Sequence, residues 1–387
     1  MKKVLFVATV VKAHIMVFHL PFLNWFKENG YETYVCAKND YENKEDCVIP
    51  YCDYYYDLPF ERSPIKLNNF KTYNQLKEII ESNEFDIIHC HTPMGGALTR
   101  IAARNARKKN TNVIYTAHGF HFYKGAPIAN WLLYYPIERY LARYTDELIT
   151  INKEDFRRAK RFKAMHIEYI PGVGLDLNKV NSFKVDKKLK CKELGLPNNV
   201  FFLLSVGELN KNKNHEVIIT ALAKLKNSQI HYIICGQGVL EQKLRNLSIE
   251  LGIERQVHLL GFRKDISDIY KISDLFVFPS FREGLSVSLM EAMANGLPVV
   301  CSNIRGNSDL IEGGKGGYLV KPNDVKGFVK YIGKLKSDKE LRSMFGENNL
   351  QQIKNYTIEN VISDMEIIYN KLMNSKADER ENIAYNK

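Results

Sequence analysis

The chain lacks any apolar run approaching the ~20 consecutive residues that a membrane-crossing helix requires, and none of its seven cysteines stands in a Cys-x-x-Cys pair. The first absence sets aside a membrane-spanning protein. The opening Met1-Lys2-Lys3-Val4-Leu5-Phe6-Val7-Ala8 has the outline of a signal peptide, but the apolar run stops at Val11 and Lys12-Ala13-His14 follows. A buried first strand accounts for it better than a cleaved segment, so a cytoplasmic location is expected. The second absence leaves neither a disulfide framework nor a zinc site indicated by Cys36, Cys47, Cys52, Cys90, Cys191, Cys235 and Cys301. Several sit in apolar runs such as Ile233-Ile234-Cys235, where a thiol packs as a small hydrophobe. Short internal repeats and low-complexity blocks are absent too.

What is present is ordinary globular composition, 45% hydrophobic and 26% charged, over 387 residues. That length exceeds what one core normally serves, so two domains are expected. The net charge of +11 suits an anionic partner such as nucleic acid, anionic lipid or a diphosphate. A basic solvated surface would give the same sum, and charge alone leaves the function open.

Short β-branched runs alternate with helical patterns. Strands are expected at Val4–Val10, Thr33–Ala37, Asp86–His91, Val113–Thr116, Glu147–Ile151 and Ile167–Ile170, with helices at Ile15–Asn29, Lys66–Ser82, Gly95–Lys108, Ile128–Arg143 and Lys153–Phe162 between them. The pattern restarts at Val200–Gly207. A helix near 215–226, a strand at Ile230–Cys235, a helix at Val239–Leu251 and strands at Gln256–Leu259, Asp274–Phe278, Pro298–Cys301 and Gly317–Val320 follow. Two α/β series predict two Rossmann-like domains facing across a cleft, residues 1–180 and 181–355. Residues 356–387 hold a last helix, Ile358–Met373, and a charged tail from Asn374 that is expected to fray.

The segment from Phe278 to Val300 carries most of the chemistry. A strand ends at Pro279-Ser280, a loop brings Glu283 and Gly284, and a helix from Ser286 to Asn295 is closed by Gly296 and Pro298. A helix N-terminus after a Gly-containing loop is an anion site, so a diphosphate would rest on amides near Gly284, Leu285 and Ser286. Glu283 lies beside that anion, and Glu291 lies about a turn and a half into the helix. Two carboxylates so placed can accept from different hydroxyls of one ligand. A second turn, Ser205-Val206-Gly207-Glu208-Leu209-Asn210-Lys211-Asn212-Lys213, leaves a strand through Gly207 and puts Lys213 at another ligand edge.

With its Glu-x7-Glu element at Glu283 and Glu291, flanked by Pro-Ser, Glu-Ala-Met-Ala and Gly-x-Pro-Val-Val, the chain resembles glycosyltransferase family 4 of the GT-B fold. Either carboxylate alone would read as surface charge. The resemblance spans nearly the whole chain and is densest over residues 201–319. It implies that Glu283 meets the donor sugar, that Glu291 holds the ribose hydroxyls and that Lys213 serves the donor diphosphate. Glu208 stands where the family usually has Arg, which would pass a phosphate contact to Lys211 or Arg282. His118, in Thr116-Ala117-His118-Gly119, matches the family's histidine near the donor sugar. The first strand–helix loop lacks the family's Gly-Gly pair. That loop, with Val17–Leu23, residues 116–127 and Tyr169–Asp176, instead looks like the capsule and exopolysaccharide branch, and Lys12 and His14 are its acceptor-side candidates.

The resemblance thus implies a retaining transfer of a hexose or N-acetylhexosamine from a UDP-sugar, its nucleotide-sugar donor, to a lipid-linked saccharide acceptor. No cofactor and no metal are expected, because no Asp-x-Asp motif accompanies the site. His118 with His89 and His91 could instead form a His-rich metal site. Strand-end packing of His89 and His91, with Cys90 on the opposite face, is the preferred account. The aromatic and basic stretch Trp131–Tyr144, near Arg104, Arg107 and Lys108, reads either as an interfacial surface for an anionic membrane or as a core helix with a basic outer face. No nucleic-acid recognition module is found. Two rivals remain: a non-hydrolysing UDP-sugar epimerase, whose acid/base groups cannot be placed, and a non-catalytic membrane-associated scaffold, which only Glu208 favours.

Overall fold

The computed structural model describes residues 1–180 and 185–385. Two compact units emerge, one of Met1–Val173 with Glu359–Lys387 and one of Gly174–Ile358.

The first unit holds seven parallel strands: β1 (Lys2–Val10), β2 (Tyr31–Lys38), β3 (Tyr54–Asp57), β4 (Ile87–His91), β5 (Asn112–Ala117), β6 (Glu147–Thr150) and β7 (His166–Tyr169). Their order is β3-β2-β1-β4-β5-β6-β7. The chain winds one way from β1 to β3 and the other way from β4, so the strand order reverses between β1 and β4. At such a reversal the connections leave a crevice beyond the carboxyl ends of the strands. Alternation sorts the side chains: Leu5, Val7, Ile88 and Cys90 pack on one face, Val4, Phe6, Ala8 and Ile87 on the other. The second face is covered by Val361, Met365, Ile368, Tyr369 and Leu372. Their helical spacing explains why the last helix, Ile358–Tyr385, returns to this unit.

The second unit repeats the plan with β8 (Phe201–Val206), β9 (Ile230–Cys235), β10 (Val257–Gly261), β11 (Leu275–Phe278), β12 (Val299–Ser302) and β13 (Gly317–Val320). All are parallel, in the order β10-β9-β8-β11-β12-β13, and the reversal lies between β8 and β11. The α/β expectation holds in both units, and the expected strands form within a residue or two of their ends.

Several local expectations are corrected. The single helix expected over Ile15–Asn29 is a π-helical turn at Val11–Ile15, a short helix at Met16–Phe18, and a further helix at Leu20–Glu28. Pro21 stands in the first turn of that last segment, where its missing N–H costs nothing, and His19 marks the break. The helix expected over Gly95–Lys108 is two, Pro93–Ala102 and Arg104–Lys108. Strand β3 carried no sequence signal: it is a four-residue edge strand with exposed ends and no buried alternation. Between the two α/β series, Asp186 caps a helix at Lys187–Glu193 by accepting from the amides of Lys188 and Leu189. Residues 181–184 lie outside the described residues. The tail set apart from Asn374 is helix as far as Tyr385, and Asn386 and Lys387 lie outside the described residues. Among the described residues no helix is long and apolar enough to cross a membrane.

Candidate functional site

In the second unit, the chain leaves β8 through Gly207 and β11 through Pro279, and the two exits are laced together. The Phe281 amide donates to the Asn212 carbonyl (2.8 Å), the Asn212 side chain to the Arg282 carbonyl (2.9 Å), and the Asn214 side chain to the Pro279 carbonyl (3.1 Å). This lacing brings together two residues seventy positions apart: Lys213 Nζ donates to Glu283 Oε1 at 2.8 Å, both side chains largely buried. The Lys213 ammonium also stands 4.7 Å from the centre of the Phe278 ring. A Cβ at Gly207 would press on the Lys213 stem, so glycine there leaves the lysine its course.

Beyond Glu283, the helix Val287–Ala294 opens at Ser286, whose side chain does not cap it. Its first amides therefore have no acceptor within the helix and remain available to an anion. The Arg305 Nε donates to the Glu283 carbonyl at 3.0 Å, and Gly306, at φ 78°, comes so close to the Gly284 carbonyl that a Cβ would collide with it. Glu291 sits on the fifth residue of the helix, and its Oε2 accepts from the Tyr270 hydroxyl at 3.0 Å. Burial pushes the Glu291 carboxyl up from its usual range, and the Tyr270 bond pulls it part of the way back. Gly207, Lys213, Glu283, Gly284, Leu285, Ser286 and Glu291 thus lie on one loop–helix assembly. Glu208 is exposed and accepts from Asn210, while Lys211 and Arg282 are exposed on the laced loops.

In the first unit, the acceptor-side candidates follow β1. Lys12 is exposed, its ammonium 5.3 Å from the Tyr41 ring centre. The backbone amides of Lys12 and Ala13 are already taken by the Asp40 carboxylate, at 2.6 and 3.2 Å, so this turn is closed to a further anion. His14 is buried and meets His118, which follows β5, edge to face with ring centres 4.8 Å apart. His91, at the end of β4, approaches His118 Nε2 with its Nδ1 at 3.4 Å, and His19 stacks on His91 at 3.7 Å. His89 is committed elsewhere, to the Tyr369 hydroxyl and the Thr116 hydroxyl. Packing therefore describes His89, with Cys90 on the opposite face as expected, while His91 belongs to a four-histidine group with His14, His19 and His118. Burial lowers the basicity of all four, His118 to about 4, so each ring is neutral near pH 7.

Beside this group runs a groove of about 900 Å³ whose walls include Val10, Met94, Ile101, Leu133 and Ile137, with Arg62 also lining it. The helix Ile128–Leu141 packs Trp131, Tyr134 and Tyr135 inward but leaves Ile128, Leu132, Leu133 and Ile137 exposed. Its outer face is thus apolar, unlike the basic face expected of a core helix. Tyr270, Arg305 and His19 were missed in the sequence, because each reads locally as core, loop or helix and acquires its partners only through the fold.

Comparison with known proteins accords with this geometry. The group described as glycosyl transferases group 1 matches residues 186–352, and glycosyl transferase 4-like matches residues 3–152. EpsD of Bacillus subtilis, placed among the glycosyltransferases by its name, is 38% identical over 384 residues, covering 98% of this chain and 99% of EpsD. The UDP-Gal:alpha-D-GlcNAc-diphosphoundecaprenol alpha-1,3-galactosyltransferase of Escherichia coli is 33% identical over 287 residues, 72% of this chain and 73% of that one. Among solved structures, Anabaena Alr3699/HepE in complex with UDP superposes with a TM-score of 0.78 at 20% identity, over 96% of this chain and 100% of that one. The two α/β units, the loop–helix assembly around Glu283 and these likenesses agree: the chain belongs to the group 1 and 4-like glycosyltransferases of the GT-B fold, enzymes that transfer sugars.

Proposed function

We propose that this glycosyltransferase takes a hexose or N-acetylhexosamine from a UDP-sugar and places it, with retention, on a lipid-linked glycan acceptor in cell-surface polysaccharide synthesis. The observation that carries the donor half is the Lys213–Glu283 pair beside the uncapped start of the Val287–Ala294 helix. An incoming diphosphate takes the helix amides and draws Lys213 toward itself, freeing the Glu283 carboxylate for a sugar hydroxyl. Glu291 accepts from the ribose hydroxyls. The C1–phosphate bond breaks as the acceptor oxygen bonds C1 from the same face, and the departing phosphate oxygen takes the acceptor proton. Fixed amides and Lys213 stabilise the leaving charge without a cation at the diphosphate. His118 acts on the donor sugar, as the family resemblance implies, and Lys211 or Arg282 takes the role that Glu208 vacates.

The acceptor half is supported by the apolar groove that begins at His14 and the loop after β1, which suits a hydrocarbon chain. The E. coli relative's name specifies a UDP-galactose donor and a diphosphoundecaprenol-linked acceptor, and HepE is described in complex with UDP and with UDP-glucose. A place on the inner face of the membrane follows from such an acceptor.

Calorimetric titration with UDP, GDP and ADP, without metal, tests the donor site on the wild type, Glu291→Ala and Lys213→Ala. Selective UDP binding, weakened about tenfold or more in each variant, is expected, since a charge-assisted hydrogen bond contributes ~1.5–3 kcal/mol. Absence of nucleotide binding, or normal binding by Glu291→Ala, would overturn the assignment.

A further inference from the structure

The four-histidine group has a feature that donor binding does not use. His19 is buried to 1% exposure and neither of its ring nitrogens has a hydrogen-bond partner among the described residues. The Nε2 atoms of His14 and His91 are likewise buried and unpartnered. An orphaned buried polar atom is costly when nothing satisfies it, and an occupant held by one nitrogen from each ring would satisfy His14 Nε2 and one nitrogen of His19. A cavity of about 20 Å³, lined by His19, His91 and His118 among others, lies against them. It has room for one small sphere. His14 and His19 come from the broken helix after β1 and His91 and His118 from the ends of β4 and β5, beside the reversal in strand order. His14 stands in a π-helical turn, an irregularity frequent at functional sites.

We propose that His14, His19, His91 and His118 bind one divalent transition-metal cation of the zinc class. One nitrogen from each ring lies within 4.8 Å of the other three. Tetrahedral zinc with Zn–N bonds of about 2.0–2.1 Å needs nitrogens roughly 3.3 Å apart. His91 Nδ1 and His118 Nε2, at 3.4 Å, already meet that spacing. The remaining rings close by side-chain rotation, and His19 must leave its stack on His91 to turn a lone pair inward. An all-imidazole set with no carboxylate selects zinc, copper, nickel or cobalt over magnesium or calcium, which prefer oxygen.

The four histidines belong to the first unit and the loop–helix assembly to the second. The cation occupies the ring that the proposed function assigns to the donor sugar.

The test uses the full chain after treatment with a chelator, titrated with zinc by calorimetry and with cobalt by visible absorption. One zinc per chain is expected, with cobalt giving the absorption of a four-coordinate nitrogen site. His19→Asn and His14→Asn should each weaken zinc by about tenfold or more. His258→Asn, in the separate His231–His258 pair of the second unit, should leave it unchanged. Trp25 and Trp131, the two tryptophans of the chain and both in the first unit, report by fluorescence whether each variant is folded. No zinc uptake by the folded wild type, or uptake that follows His258, would overturn the proposal and leave a water-filled polar cluster. UDP titrated into the same samples separates the two claims: UDP binding without zinc uptake sinks only the metal site, and zinc uptake without UDP binding sinks only the donor reading.

Discussion

Glu291 draws its behaviour from one neighbour. Burial favours its neutral form, and the Tyr270 hydroxyl, donating at 3.0 Å, restores part of its acidity. A carboxyl whose folded pKa is raised contributes most to stability below its unfolded value and loses that contribution as pH rises through the folded one. Ligand binding runs the other way. On the proposed function the ribose hydroxyls need the ionised carboxylate as acceptor, so UDP affinity should fall as pH is lowered through this raised value. Tyr270→Phe removes the bond that lowers it, so the loss should begin at higher pH, with a stability cost of ~1 kcal/mol from the lost hydrogen bond. Calorimetry of both proteins from mildly acidic to neutral pH measures this, and superimposable profiles would deny the hydroxyl that role. The spacing of Glu283 and Glu291 and the position of Lys213 after its glycine turn were legible in the sequence. Tyr270 was not, since its place in Ile266–Ile272 reads only as a core position.

At the scale of the element, the Glu283–Gly284 loop is held by backbone contact as much as by side chains. Gly306 lies beyond β12 with φ 78°, against the Gly284 carbonyl, while neighbouring Arg305 grips the carbonyl of Glu283. A methyl group at 306 must push that loop away and adopt an unfavourable left-handed backbone. Gly306→Ala should therefore cost ~1–3 kcal/mol and weaken UDP binding in step. Urea unfolding and UDP titration read the two effects, and unchanged UDP affinity would show that the loop does not depend on this contact. The same scale explains the broken helix after β1. Apolar spacing from Ile15 onward suggests one continuous helix, but the π turn, the break at His19 and Pro21 redirect it and turn His14 and His19 toward β4 and β5.

The molecule as a whole carries +11 charges and, on its first unit, a helix whose outer face shows Ile128, Leu132, Leu133 and Ile137. Ile65 and Leu67, 88% and 90% exposed, project from the loop that also bears Arg62 and Lys66. Exposed apolar side chains among cations suit an anionic bilayer surface. The chain should sediment with vesicles containing anionic phospholipid, and less so at high salt. Leu132→Glu with Ile137→Glu should weaken this about tenfold or more, because burying one such side chain contributes ~1.5–3 kcal/mol. Equal sedimentation of wild type and variant would place any contact elsewhere. The sequence by itself determined two parallel α/β units and the strand–loop–helix layout around Glu283, because both depend on periodicity and short-range spacing. Only the tertiary structure decided the strand order, the return of Val361–Leu372 to the first sheet, the hold of Tyr270 on Glu291 and the meeting of His14 and His19 with His91 and His118. Those pairings join residues far apart in the chain, and they follow from which strands lie side by side, a choice made by packing of the whole core.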